Sequence, residues 1–139
     1  MNKTETVLQL HKEKCSCAQC ILVAYSDELG VDELTAYKLG DGIGGGFGKM
    51  RNLCGAVNAM GIVIGSLNSG NLDQKGLTKE KSMQEVRKCA EKFIDKNKTL
   101  LCSELLAANN EDRTCDNLIA DCSAIIEEYI KERKIEVIK

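Results

Sequence analysis

The stretch Thr78-Lys79-Glu80-Lys81-Ser82-Met83-Gln84-Glu85-Val86-Arg87-Lys88-Cys89-Ala90-Glu91-Lys92-Phe93-Ile94 decides the fold class. Met83, Val86, Ala90, Phe93 and Ile94 recur at helical spacing, with charged residues between them. Thr78 stands in front as a cap, so an amphipathic helix is predicted. Upstream, Asn68 to Lys75 is a polar loop, and Asn52 caps a helix running to about Ser66. Asp32 caps a helix carrying Leu34, Tyr37 and Lys38 on one side and ending near Gly40. Ser16 caps another from Cys17 to about Leu29, with Gly30 as its stop, and Asn2 to Lys12 opens the chain as a helix. Downstream, Thr99 caps a short helix through Leu106. Asp112 or Thr114 caps the last helix, whose Leu118, Ile119, Cys122, Ile125, Ile126, Tyr129 and Ile130 form one stripe. The alternating tail from Lys134 to Lys139 receives no assignment. With no Pro and little β-type alternation, the expectation is an all-α, single-domain bundle of about six to seven helices with a Gly-rich loop.

That loop is Gly42-Ile43-Gly44-Gly45-Gly46-Phe47-Gly48, too rich in glycine for a helix interior. Gly40-x-Gly42-x-x-Gly45 matches a dinucleotide fingerprint in its letters, but no strand precedes it. Lys49 is followed by Met50 instead of Ser or Thr, so a phosphate-binding P-loop fails as well. Two readings remain: a turn that delivers Cys54 to the next helix, or bare backbone closely approaching a metal–sulfur centre. Gly55 with Ala59, and Gly61 with Gly65, are small residues four apart. They suit tight helix packing in a small bundle better than a membrane dimer motif.

The 139 residues carry 19 Lys plus Arg against 21 Asp plus Glu, a net charge of −2, which argues against a nucleic-acid footprint. Two Phe, three Tyr and no Trp supply few stacking platforms. The apolar run Leu53 to Leu67 is shorter than the roughly 20 residues a membrane span needs, and the N-terminus lacks a signal-peptide pattern. The expected setting is cytoplasmic. Thiols stay reduced there, so clustered cysteines point to metal binding or redox work.

Eight Cys stand against a single His, which removes Ser-His-Asp and most imidazole chemistry. His11 on a charged helix reads as solvated, as do Glu127, Glu128 and the Glu80/Glu85/Glu91 set. The cysteines divide by position. Cys17, Cys54, Cys102 and Cys115 each fall in the first turn of a predicted helix, where unpaired amides and the positive dipole end favour a thiolate and lower its pKa. Cys20, Cys89 and Cys122 lie inside helices as small buried hydrophobes, and Cys15 lies in a break. The four are separated by 36, 47 and 12 residues, which fits no compact zinc pattern, so only the fold can bring them together. Cys17-x-x-Cys20 has the thioredoxin spacing without the βαβ unit that usually carries it.

Cys17-Ala18-Gln19, Gly44-Gly45-Gly46-Phe47-Gly48, Cys54-Gly55-Ala56, Cys102-Ser103-Glu104-Leu105-Leu106 and Cys115 together resemble the C-GCAxxG-C-C family of redox-active proteins, from about Val7 to Tyr129. The family's four hallmark cysteines fall on Cys17, Cys54, Cys102 and Cys115. The family is also similar to the non-haem part of split-Soret cytochromes. The resemblance implies that these four hold an iron–sulfur cluster, in the form [2Fe–2S], with Gly45, Gly46 and Gly55 beside it. One departure is Ala59, where the CGAxxG signature ends in glycine. The expected function is electron transfer with a redox partner protein, with no nucleic acid and no membrane span, and with a homodimer left open. Two alternatives stand beside it. One is a metal-free thiol–disulfide oxidoreductase or redox sensor attacking through Cys54 or Cys17. The other is a structural zinc module held by the same four cysteines.

Overall fold

The structure, a computed structural model, describes residues 1–108 and 115–138, the last three of these by their backbone alone. Its right-handed helices are α1 (Lys3–Lys12), α2 (Cys17–Ala24), α3 (Ser26–Leu29), α4 (Glu33–Gly40), α5 (Gly55–Asn68), α6 (Lys79–Asn97), α7 (Cys102–Ala108) and α8 (Cys115–Ile138). Among the described residues there is no strand, only one antiparallel bridge between Leu53 and Leu101. The protein is all-α, as its periodicity predicts.

Local chemistry sets most helix starts. Asn2 and Glu5 close a capping box on α1, and Ser16 and Gln19 close one on α2. Asp32 accepts the Thr35 amide at 2.7 Å to open α4, and Gly30 ends α3 in the left-handed conformation. The cap expected at Asp112 or Thr114 lies outside the described residues.

Three expectations are corrected. The helix foreseen from Cys17 to Leu29 breaks at Tyr25 (φ −106°, ψ 22°). The buried Tyr25 hydroxyl bonds Ser123 Oγ at 2.9 Å, and Glu127 at 3.0 Å, tying this break to α8. In α6 the buried row is Glu85, Cys89, Phe93 and Asn97, while Met83 is 61 % exposed. Those four share an i, i+4 row, and Glu85 tolerates its place because Lys81, Lys88 and the Tyr129 hydroxyl surround its carboxylate. Thr78 caps nothing with its side chain; its Oγ accepts the Gly70 amide at 3.1 Å instead. The unassigned tail continues α8 to Ile138.

Helix α5 is the central element, packing on α2, α3, α6 and α8. Its Ala56, Ala59, Val63 and Ile64 are fully buried with Ile21, Leu22, Phe93, Ile119 and Ile126 in one core. Each large side chain there contributes roughly 1.5–3 kcal/mol. Gly61 and Gly65 face Val86 of α6 at ordinary contact distance, so the small residues serve helix packing.

A cysteine site at four helix openings

Cys17 and Cys102 are the first residues of α2 and α7, and Cys115 is the first described residue of α8. Cys54 occupies the cap position of α5 itself, two residues beyond the Asn52 cap expected from sequence. The reason lies in the bridge. Cys54 N–H donates to Leu100 O at 2.9 Å, Cys102 N–H to Asn52 O at 2.6 Å, and Ser103 N–H to Arg51 O at 3.1 Å. These bonds pin the 51–54 segment against 100–103 around the Leu53–Leu101 bridge, so α5 cannot start at Asn52. Cys54 and Cys102 become diagonal neighbours across the bridge.

The glycine run supplies the floor. Gly45, Gly46, Phe47, Gly48 and Lys49 all have φ between 60° and 74°, followed by Arg51 at 60°. This is a left-handed coil, closed by Lys49 N–H to Gly44 O (3.2 Å), Arg51 N–H to Gly45 O (3.1 Å) and Asn52 N–H to Gly46 O (2.9 Å). It packs on α2, α5 and α7, the helices that open at or beside Cys17, Cys54 and Cys102. A Cβ on Gly55 would lie 2.6 Å from Cys17 Sγ, and one on Gly46 would lie 2.6 Å from Cys102 Cβ and 2.7 Å from Arg51 Cα. A Cβ on Gly44 would meet Ser16 Cβ at 2.8 Å. Gly46 and Gly55 therefore lie directly against cysteines. Gly45 does not: its missing Cβ faces Lys49 Cγ.

The sulfurs influence one another. Burial pushes the Cys54 thiol up to about 11, and the neighbouring sulfurs of Cys17 and Cys102 add to the rise. The Val57 and Ala56 amides pull the other way, although neither forms a side-chain capping bond to Cys54. Cys115 is raised by burial and then by the Cys17 and Cys102 sulfurs, while Arg51 lowers it. The sequence expectation that a helix start lowers these thiols is thus corrected for Cys54 and Cys115: desolvation outweighs the amides and the dipole.

Of the other cysteines, Cys20 and Cys122 are fully buried behind the four. Burial takes Cys20 up to about 12, with Cys15 and Cys17 adding to it, and its thiol donates to Cys15 O at 3.8 Å. Cys122 is pushed well up by burial, then by Cys54, Asp121 and Cys17. Cys89 stands apart, lining a cleft of about 410 Å³ with Glu85, Lys92, Tyr129 and Arg133.

Two neighbours of the site escaped the sequence. Arg51 Nη1 donates to Cys102 Sγ at 3.7 Å. His11, expected to be solvated, pairs its Nδ1 with Asp116 Oδ1 at 2.5 Å, beside Cys115. A base in the last turn of α1 and an acid in the first turn of α8 were visible, but their 105-residue separation hid the pairing.

All eight cysteines are free thiols. Among the described residues, no three His, Cys, Asp or Glu side chains stand in a metal-holding arrangement, and no helix is long and apolar enough to cross a membrane.

An all-α chain with eight cysteines, in which Cys17, Cys54 and Cys102 stand at helix openings around one glycine coil, defines a cysteine-rich helical class of protein. The chain belongs to the family described as "putative redox-active protein (C_GCAxxG_C_C)", which matches residues 15–129. No curated protein and no solved structure matches it.

Proposed function

We propose that this is a redox protein in which Cys17, Cys54, Cys102 and Cys115 hold an iron–sulfur cluster for electron transfer. One observation carries this reading: Cys17, Cys54 and Cys102 each open a helix, and those three openings rest on the same glycine-rich coil. The chemistry of the donor set fits, since four thiolates are the usual ligands of such clusters. Gly46 and Gly55 support it as well, because any side chain there would occupy the space against Cys102 or Cys17. When bound, a cluster of this kind supplies one-electron exchange.

The chain's own groups do the rest. Core side chains of α2, α5 and α8 keep water from the inner side, where Cys54 is 5 % exposed. Cys17, Cys102 and Cys115 are half-buried and form the outer edge. The Arg51 guanidinium places positive charge beside the sulfurs, which favours thiolates once a cation is present. The metal-free oxidoreductase reading is weaker at Cys54, whose thiol stays protonated at neutral pH. A cytoplasmic setting suits the proposal, because thiols stay reduced there.

The test is anaerobic purification followed by iron, acid-labile sulfide and visible absorption measurements. Iron and sulfide are expected together, lost in Cys54→Ser and Cys102→Ser and kept in Cys89→Ser. Stoichiometric zinc with no iron after reconstitution would establish the structural module instead. No metal at all would leave the thiol reading.

A further inference from the structure

The left-handed coil does more than carry Cys54. Glycine occupies positions 45, 46 and 48, where positive φ costs it little. Phe47, Lys49 and Arg51 share that conformation (φ 72°, 62° and 60°), and each non-glycine residue there is strained. The other positive-φ side chains, Lys14 and Lys98, sit singly where α1 and α6 end. A plain spacer would be relieved by glycine at 47, 49 and 51. Instead the coil presents Phe47 at 55 % exposure and Met50 at 68 %, with Lys49 and Arg51 also exposed beside them. Arg51 reaches Cys102 Sγ, so this patch is continuous with the outer edge of the cysteine site.

Charge identifies the occupant. The chain is net negative, yet the coil's two charges are both positive. Asp41 accepts from Gln19 Nε2 at 2.9 Å and Glu104 from Thr99 Oγ at 2.5 Å, and among the described residues neither carboxylate forms an ion pair with Lys49 or Arg51. A second copy meeting this patch about a two-fold axis would set Lys49 and Arg51 against their own counterparts, which is repulsive. We infer that the Phe47–Arg51 coil is the docking surface for an acidic electron-carrier protein, its apolar centre formed by Phe47 and Met50 and its basic rim by Lys49 and Arg51. The inference rests on the redox reading for the partner's class, but the contact itself does not require a bound cluster.

The probe is a flavodoxin, an acidic one-electron carrier, titrated calorimetrically into the full chain. Binding is expected at low salt and weakens as salt rises. Lys49→Glu is expected to weaken it on the order of tenfold. Phe47→Gly is expected to weaken it similarly without lowering the urea midpoint, because it removes strain at an exposed position; a merely structural Phe47 would not separate the two. Basic cytochrome c serves as the opposite-charge control and is expected not to bind. Unchanged affinity in both variants, preference for cytochrome c, or self-association that depends on Phe47 would each overturn the proposal. Iron is assayed in the same samples. Binding by iron-free protein keeps the docking surface while sinking the cluster, and iron without binding does the reverse.

Discussion

At the scale of single residues, the site depends on what is missing from Gly46 and Gly55. A methyl group at Gly46 meets Cys102 Cβ, Arg51 Cα and the Asn52 nitrogen, all between 2.6 and 2.8 Å, and two of those three atoms are backbone and cannot swing aside. The residue also has φ of 74°. Strain and overpacking add, so Gly46→Ala is expected to cost about 2–4 kcal/mol. Gly30 has the same φ but nothing within 4 Å of its missing Cβ, so Gly30→Ala isolates the backbone share, about 1–2 kcal/mol. Urea unfolding of the two variants checks this; equal losses would mean that the contact against Cys102 is unimportant. Gly55→Ala meets Cys17 Sγ at 2.6 Å, a side-chain atom that can turn, and the backbone only at 3.3 Å, at Gly44 Cα and Ile43 O. It is therefore expected to cost less than Gly46→Ala and to change the reactivity of Cys17 toward thiol reagents.

At the scale of elements, Ser16 and Gln19 fix where α2 begins and so where Cys17 stands. Ser16 Oγ accepts the Gln19 amide at 3.2 Å, and Gln19 Oε1 accepts the Ser16 amide at 2.9 Å. The same Gln19 side chain, 3 % exposed, donates to Tyr37 O and Asp41, joining α2 to α4. Ser16→Ala is expected to cost about 1 kcal/mol, and Gln19→Ala more, because it removes the bonds to Tyr37 O, Asp41 and the Ser16 amide together. Thermal melts compare them; a smaller loss for Gln19→Ala would refute the shared anchoring role. The Ser16 cap was legible, as were the stop at Gly30 and most helix starts, because caps and glycines act locally. The start of α5 was not. It is set by the Leu53–Leu101 bridge, a contact across 48 positions with no local signal. The α6 row was misjudged for a related reason. Met83 satisfies a helical period but is exposed, whereas Glu85 and Cys89 on the neighbouring row are buried. The glycine run announced a turn, while its left-handed course and its contact with three helices came only from tertiary structure.

At the scale of the whole molecule, these groups define how stability follows pH. Lys88 and Lys81 hold the Glu85 carboxyl below its ordinary value, and the Thr35 amide does the same for Asp32. Depressed carboxyls stabilise the fold above the unfolded range of about 4–4.5, and that support is lost as pH falls through their folded values. Thiols act in the opposite sense. Burial lifts Cys54 and Cys89 to about 11 and Cys20 to about 12. The folded chain therefore keeps protons that the unfolded chain releases above about 8.5, and stability declines as pH rises from there toward the folded values. A plateau between the two limbs is expected for the metal-free protein, read from urea midpoints across pH. Glu85→Gln flattens the acid limb, and Cys89→Ala flattens the alkaline one. Loading with iron separates the cysteines further. A ligand thiolate has no proton left to hold, so the share of Cys54 in the alkaline limb disappears, while Cys89, outside the site, keeps its own. An alkaline limb that is identical with and without bound iron would therefore remove Cys54 from the ligand set.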